Sequence, residues 1–223
     1  MNRICVLVEG DTEASFVDSI LRPEFERARK TIFLYPVLFR KQGGSFGYAK
    51  CQKVILNALK QDRSTYITTM VDFYGMPTDW PGRDQANHCQ SYIEKANVVE
   101  GSILEDITGS LGSSFNPRRL MPYVQMHEFE ALLFSSPVKL AEGLGDKKLS
   151  SAFLTIRNEF STPEEIDDHY DTCPSRRIEW VFQGFKKTIN GIMAARRIGL
   201  EKMRQECPHF NEWVTKLEDI GNQ

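Results

Sequence analysis

Apolar runs and segments of helical periodicity alternate along the amino-terminal part of the chain. Residues 4–8 form a continuous apolar run that ends at Gly10, which predicts a strand covered on both faces. Similar runs recur at three further places, and the first of these contains Pro36, which predicts an edge strand or a bulge. These runs are residues 31–39, 66–73 and 120–126.

Helical periodicity appears between the predicted strands. Asp11 or Thr12 can cap a first helix whose apolar positions continue to Pro23. Further helices are predicted at residues 48–59 and 86–111, and a last one begins in HEFEALLF after the fourth strand. This alternation predicts an α/β fold with a mostly parallel four-stranded sheet flanked by helices.

The strand pattern stops after Pro137, and residues 140–220 have the periodicity of helices only. We therefore predict a core of residues 1–137 and a helical extension of residues 138–223 that packs on it. A chain of 223 residues with 41% hydrophobic residues is long enough for one sizeable core.

The net charge and the cysteines of the chain exclude several classes of protein. The formal net charge of −2 excludes the basic surface typical of non-specific nucleic-acid binders, so any contact with nucleic acid must be local. The five cysteines are scattered, with no CxxC spacing, and predict neither a zinc site nor a disulfide framework. We expect a cytoplasmic protein without a membrane segment, because no apolar run approaches a membrane span.

Acidic residues follow three of the predicted strands. Glu9 ends the first strand and Asp72 the third, whereas Glu128 and Glu130 follow the fourth, and Glu13 lies in the first turn of the first helix. The carboxyl ends of parallel strands lie along one edge, so these side chains should converge. Since crowded carboxylates repel one another, a hard divalent cation, Mg²⁺ or Mn²⁺, is the expected counter-ion.

Each acid also has a purely structural interpretation. Glu13 can complement a helix dipole, Asp72 can be a turn residue, and Glu128 with Glu130 can be an acidic helix start. Glu9 is harder to explain in this way, because a carboxylate at the end of a buried strand needs a partner. The convergence therefore favours a functional site more strongly than any single acid does.

These acids lie in motifs that resemble known proteins. VEGDTEASF resembles the first motif of the TOPRIM fold of topoisomerases, primases and the overcoming-lysogenization-defect (OLD) nucleases, in which a second acid follows four residues after the first. HEFEALLF resembles the acidic segment after a later strand of the OLD nucleases, with Glu128 and Glu130 in the acidic positions. The third strand departs from the TOPRIM pattern, since Asp-x-Asp is replaced by Asp72-Phe73-Tyr74. This loss puts two fully protein-bound metals in doubt.

Four blocks together resemble a bacterial TOPRIM-like family of unknown function. The blocks are EGDTEASFV, VDFYGMPTDWPG, HEFEALLF and the tail that runs from PSRRI to HFNEWV. The resemblance implies a bacterial protein with a suspected role in defence against phage or plasmids, often encoded beside an AAA-type or ABC-like ATPase. That ATPase is the expected partner, and the sequence leaves the oligomeric state open between a homodimer and a hetero-complex.

The expected chemistry is metal-dependent cleavage of DNA or RNA phosphodiesters. Glu9, Asp72 and Glu128 are the expected catalytic residues, and all five acids are candidate metal ligands; the resemblance implies a role in proton transfer for Glu9. His127 can shuttle a proton or can be a packed histidine. Candidate phosphate-binding residues are Lys41, Arg83, Arg176, Arg177, Lys186 and Lys187.

Two pairs of basic residues, 176 with 187 and 186 with 197, are eleven positions apart and would share a face of one continuous helix. Gly184 and Gly191 can break that helix, and a solvated surface is an equal alternative. Phe73, Tyr74 and Trp80 can stack on bases or can be packing residues. The GGSFG loop lacks the P-loop spacing, so we expect no nucleotide hydrolysis by this chain.

Two other functions are compatible with this sequence. One is a toxin or sensor subunit that binds the ATPase and has no activity of its own. The other, weaker, alternative is a phosphohydrolase for small phosphorylated molecules, because the same acids would serve it.

Overall fold

A parallel sheet forms the centre of the molecule. The computed structural model describes residues 2–28, 31–39, 47–167 and 169–220. The strand order is β2-β1-β3, and two short strands, β4 and β5, pair one after the other with β3 in parallel. The strands are β1 (Asn2–Val8), β2 (Ile32–Leu38), β3 (Thr65–Asp72), β4 (Leu120–Met121) and β5 (Val124–Gln125).

The predicted α/β class and the parallel sheet are confirmed. β1 lies between β2 and β3, which explains its continuous apolar run, and residues 4–8 are buried. β2, which contains Pro36, lies at the edge of the sheet, which is one of the two predicted alternatives and a place where a missing amide proton is tolerated. The fourth predicted strand is divided into β4 and β5 around Pro122, since proline cannot donate to the ladder.

Three predicted helix boundaries are wrong. Gly10, not Asp11 or Thr12, is the N-cap of the first helix, and Pro23 does not end that helix. A π-helical turn precedes Pro23, which occupies the first turn of the next helical segment, where proline is tolerated. The long helix predicted from residue 86 begins later, at a capping box formed by Ser91 and Glu94.

The helices of the α/β part are α1 (Asp11–Phe16), α2 (Arg22–Arg27), α3 (Tyr48–Gln61), α4 (Arg83–Ala86) and α5 (Tyr92–Leu111). Those after the last strand are α6 (Pro137–Gly143), α7 (Ser150–Arg157), α8 (Pro174–Val181), α9 (Ile192–Ile198), α10 (Leu200–Glu206) and α11 (Pro208–Ile220). The 3₁₀ helices are Pro117–Arg119, Phe129–Ser135, Lys147–Leu149 and Pro163–Glu165, and the π-helical turns are Val17–Leu21 and Lys187–Gly191. HEFEALLF therefore enters a 3₁₀ helix, not the predicted α-helix.

The two faces of the sheet are covered by different helices. α3 and α5 pack on one face through buried aliphatic residues such as Ile55 and Ile103. α1 and the carboxyl-terminal helices share a second core on the other face, where Phe210 lies near Phe16. The helices after residue 137 thus pack on the sheet and on α1, whereas the boundary at residue 137 itself stays a prediction.

Trp213 of α11 anchors the carboxyl-terminal helices to the sheet. Its ring stacks on Tyr123 with centroids 4.4 Å apart, and its Nε1–H donates a 2.8 Å hydrogen bond to Thr68 Oγ1 on β3. None of the helices in the described residues combines the length and the apolar character that are needed to cross a membrane.

Candidate active site at the carboxyl edge of the sheet

Asp72 lies at the centre of a cluster of acids where β3 ends. Its Oδ1 accepts a 2.9 Å hydrogen bond from the Phe129 amide, which fixes the start of the 3₁₀ helix beside it. Burial raises the pKa of Asp72 well above its ordinary value, and the charges of Glu13, Glu9 and Glu130 raise it further. The structure therefore brings together acids from the ends of two strands, a helix and a 3₁₀ helix.

Glu13 is buried and has a structural role within this cluster. Its Oε2 accepts a 3.0 Å hydrogen bond from the Gly10 amide in a capping box at the start of α1. Burial raises the pKa of Glu13, although backbone hydrogen bonds lower it in part. The same carboxylate thus caps α1 and adds charge to the site.

Glu128 is buried, and both of its carboxylate oxygens are engaged. Oε2 accepts a 2.8 Å hydrogen bond from the Ser175 amide, and Oε1 lies 3.0 Å from both Ser175 Oγ and Lys187 Nζ. Ser175 lies in the first turn of α8, so Glu128 links the sheet edge to that helix. Ser175 was not predicted as a site residue, because no motif marks a serine that contacts an acid 47 positions away.

Glu130 is the most deeply buried of these acids, and one of its oxygens has no partner. Lys187 Nζ lies 2.9 Å from Oε2, whereas Oε1 is buried without a hydrogen-bond partner in the part of the chain that the structure describes. Burial raises the pKa of Glu130 to about 7, even though the charge of Lys187 lowers it. An oxygen in this position is suited to a ligand that brings positive charge.

Lys187 is the cation that these acids share. Burial lowers its pKa, but the charges of Glu130, Glu128 and Asp72 outweigh that effect and raise it above the ordinary value of a lysine. Lys187 also lowers the pKa of Glu13 and Asp72. The sequence predicts that Lys187 binds phosphate, whereas its ammonium lies between the carboxylates of Glu128 and Glu130.

The ligand atoms of the cluster are of the type that a divalent cation prefers, but their positions are not those of a metal site. Carboxylate oxygens are the ligands that Mg²⁺ and Mn²⁺ prefer, and Glu130 Oε1 is available to one. Within the described residues, however, no three His, Cys, Asp or Glu side chains are placed so that they could hold a metal ion. Glu128 and Glu130 are instead bridged by Lys187.

The other predicted phosphate-binding residues are not gathered in one place. Arg177 is buried and donates to the Thr172 carbonyl at 2.6 Å and to Glu159 at 2.9 Å. Arg83 packs on the Phe73 ring, 4.1 Å from its centroid. Lys41 lies outside the described residues.

The basic stripe of residues 176, 186, 187 and 197 is not formed by a continuous helix. α8 ends at Val181, and the next helical turn begins at Lys187, after Gly184 with a φ of 82°. Arg176 is half-exposed and pairs with Glu179 at 2.7 Å, and Lys186 is exposed. Of the predicted cations that the structure describes, Lys187 makes the direct contacts with the acids.

The aromatic residues that are exposed near the site differ from those expected. Phe73 and Trp80 are buried and belong to the core on the α3–α5 side, while Tyr74 is half-buried. Tyr170 and Trp180 are 62% and 61% exposed. No periodic pattern distinguishes these two residues from core aromatics, so the sequence did not predict their exposure.

Arg176 contacts the first of these two aromatic residues. Its guanidinium lies over the Tyr170 ring, 5.1 Å from the centroid, and Trp180 follows four positions later on α8, on the same side of the helix. His127, by contrast, is buried edge-on against Phe73 with centroids 5.6 Å apart, in agreement with its interpretation as a packed histidine.

A search of solved structures finds proteins of similar fold. Two solved structures of the C-terminal region of the OLD protein from Xanthomonas campestris pv. campestris are similar overall. One has 14% identity and a TM-score of 0.43, with 100% of this chain and 97% of that chain covered. The other has 16% identity and a TM-score of 0.39, with coverages of 100% and 98%. At this identity and score, the likeness carries no property of the OLD protein to this chain.

No curated protein matches the sequence. A family described as a domain of unknown function, DUF4276, matches residues 8–218. That match begins beside Glu9, includes every acid of the cluster, and ends within α11, which packs the helical part on the sheet. The chain therefore belongs to the DUF4276 family.

Proposed function

We propose that this protein is a metal-dependent nuclease that cleaves phosphodiester bonds of nucleic acid at the carboxyl edge of its sheet. The observation that carries the proposal is the crowding of Asp72, Glu13, Glu9 and Glu130 at one buried place, where burial raises the pKa of Asp72 and the charges of the other three acids raise it further. Such crowding of carboxylates destabilises the fold. Carboxyl groups with perturbed pKa values are typical of catalytic sites, so the crowding favours a catalytic role.

The proposal assigns distinct tasks to the residues. Asp72, Glu9, Glu13 and Glu130 would hold a divalent cation, which supplies Lewis-acid activation of the phosphate and of water when it is bound. Glu9, which is half-buried at the strand end, would accept or donate the proton. Glu128 would keep its contacts to Ser175 and hold α8 beside the site.

The test measures cleavage of labelled single-stranded and double-stranded DNA and RNA with Mg²⁺, with Mn²⁺ and with a chelator. We expect cleavage only when a divalent ion is present, and a loss of at least a hundredfold in Asp72→Asn and in Glu9→Gln. The asparagine in Asp72→Asn keeps an oxygen for the Phe129 amide, so the fold should survive. Circular dichroism and thermal unfolding check this.

Asp62 provides a matched control, because it lies just before β3, at the opposite end of the strand that Asp72 ends. Its side chain accepts hydrogen bonds from Ser64 and Thr65. Asp62→Asn should therefore leave cleavage unchanged. Equal cleavage by the wild type, Asp72→Asn and Glu9→Gln would reject the nuclease.

One observation favours a second function, that of a non-catalytic subunit bound to an ATPase. Lys187 already bridges Glu128 and Glu130, and the described residues contain no three ligands arranged for a metal. Under this proposal the site is degenerate and the protein acts through its partner. Absence of cleavage under all metal conditions, together with co-purification with an ATPase encoded beside it, would support this alternative.

A further inference from the structure

Lys187 enters the acidic cluster from the surface. It is the first residue of a π-helical turn, whereas Glu128 and Glu130 lie at the 3₁₀ helix that follows β5. Its ammonium contacts both carboxylates within 3.0 Å, yet its side chain is 43% exposed. An exposed lysine stem can swing the ammonium into solvent by rotamer changes alone, without moving the backbone.

The contacts of Lys187 are those that a bound cation would make. Its ammonium bridges carboxylates of two residues that are themselves buried, and it offsets part of the charge of Asp72 and Glu13. The charge is not fully matched, because Glu130 Oε1 remains buried without a hydrogen-bond partner among the described residues. A buried carboxylate oxygen without a hydrogen-bond partner points to a ligand with more positive charge than one ammonium.

We infer that Lys187 is a resident cation that competes with a divalent metal ion for the carboxylate of Glu130, so that the site takes up metal only when Lys187 withdraws. This inference rests on the proposed function, since it assumes that the cluster binds a divalent ion. It explains why the ligand types are right while no three of them are arranged around a common point in the described chain.

Competition has a direct physical cause. An ammonium and a divalent ion a few ångströms apart repel each other in a partly buried site, so the ammonium of Lys187 weakens the binding of a metal ion to the same carboxylates. Substitution of Lys187 by an uncharged side chain of similar length removes the competitor and leaves the carboxylates in place. We therefore expect the dissociation constant for Mn²⁺ to fall at least tenfold in Lys187→Met, and that for Mg²⁺ to fall in the same direction.

The first experiment is calorimetric titration of Mn²⁺ and Mg²⁺ into the full chain. Lys187→Arg keeps the charge and should bind as weakly as the wild type. Lys186→Met removes the neighbouring exposed lysine and should also match the wild type. The double variant Glu130→Gln/Lys187→Met should lose the gain in affinity, because it lacks the buried acid that lies nearest to Lys187.

A second experiment uses the wild-type protein, so that its outcome does not depend on how well a variant folds. Lysines are acetylated in the presence of a chelator or of saturating Mn²⁺, and labelled sites are quantified by mass spectrometry. We expect Mn²⁺ to raise labelling of Lys187 at least threefold, because the ammonium has moved into solvent. Lys186 should be labelled equally in both conditions.

The outcomes separate this inference from the proposed function. Tighter Mn²⁺ binding by Lys187→Met, with increased labelling of wild-type Lys187, supports the competition. If the wild type binds metal and cleaves, but Lys187→Met binds no more tightly and labelling is unchanged, the competition is wrong and the nuclease stands. If no variant binds metal and the wild type does not cleave, both proposals fail.

Discussion

Replacing Glu130 by glutamine should stabilise the protein at high pH, although Glu130 is a candidate site residue. Burial moves the pKa of this carboxyl from an ordinary 4.5 to about 7. Since the folded form holds its proton more tightly than the unfolded chain, stability falls as the pH rises from about 4.5 to about 7. One pKa unit corresponds to about 1.4 kcal/mol, so the ionised group destabilises the folded chain by about 3 kcal/mol at pH 8.

Glutamine removes the destabilisation by the ionised carboxylate and adds little destabilisation itself. It has the shape of the protonated acid, and one polar atom at this place lacks a hydrogen-bond partner already, among the residues that the structure describes. Loss of the charge also relieves Asp72, whose pKa Glu130 raises, so the two effects have the same sign. The gain should be about 3 kcal/mol at pH 8 and about 1 kcal/mol at pH 5.

Urea unfolding monitored by tryptophan fluorescence at pH 5 and pH 8, with a chelator present, measures this difference. Glu142→Gln is the control with the opposite sign, since contacts with Arg197 and Lys147 lower the pKa of this surface carboxyl. That variant should be no more stable than the wild type at pH 8. A Glu130→Gln protein that is less stable than the wild type at pH 8, or equally affected at both values, would refute the reasoning.

Three further predictions concern other parts of the molecule. Trp213→Phe should lower the free energy of unfolding by about 2 kcal/mol, measured in urea, because it loses the hydrogen bond to Thr68 and part of a buried ring. His209→Gln should destabilise more at pH 6 than at pH 9: burial lowers the pKa of His209, but Glu100 raises it overall, so this ion pair stabilises at low pH and is lost as the pH rises. Unfolding midpoints at the two pH values check the sign. Trp180→Ala should weaken binding of a short single-stranded oligonucleotide at least fivefold without changing the unfolding midpoint, measured by fluorescence anisotropy in chelator, because an exposed indole contributes about 1 kcal/mol or more by stacking.

The amino-acid order was sufficient to predict the sheet and the edge at which its acids meet. The run before Glu9 is apolar at every position because β1 is covered on both faces, and its short length and the glycine that follows it distinguish it from a helix. Pro36 predicted an edge strand or a bulge for a local reason, the missing amide proton, and β2 is an edge strand. The missing amide proton of Pro122 likewise explains the break between β4 and β5.

Helix boundaries were less predictable, because tertiary contacts decide between nearby alternatives. The π-helical turn before Pro23 and the 3₁₀ helix after Glu128 both lie where the chain packs against other elements. A hydrogen bond from the Phe129 amide to Asp72, 57 positions away, fixes the start of that 3₁₀ helix. No periodicity within a short window contains that information.

The acids themselves were found from the sequence, whereas their partners were decided by the tertiary structure. An acid that directly follows a strand can be placed from the sequence, because all strands of a parallel sheet have their carboxyl ends at the same edge. Lys187 and Ser175 reach Glu128 from helical segments 59 and 47 residues later, and only packing of those segments on the sheet selects them. Charge repulsion dictates that such a cluster needs a cation, but the folded chain decides that a lysine supplies it.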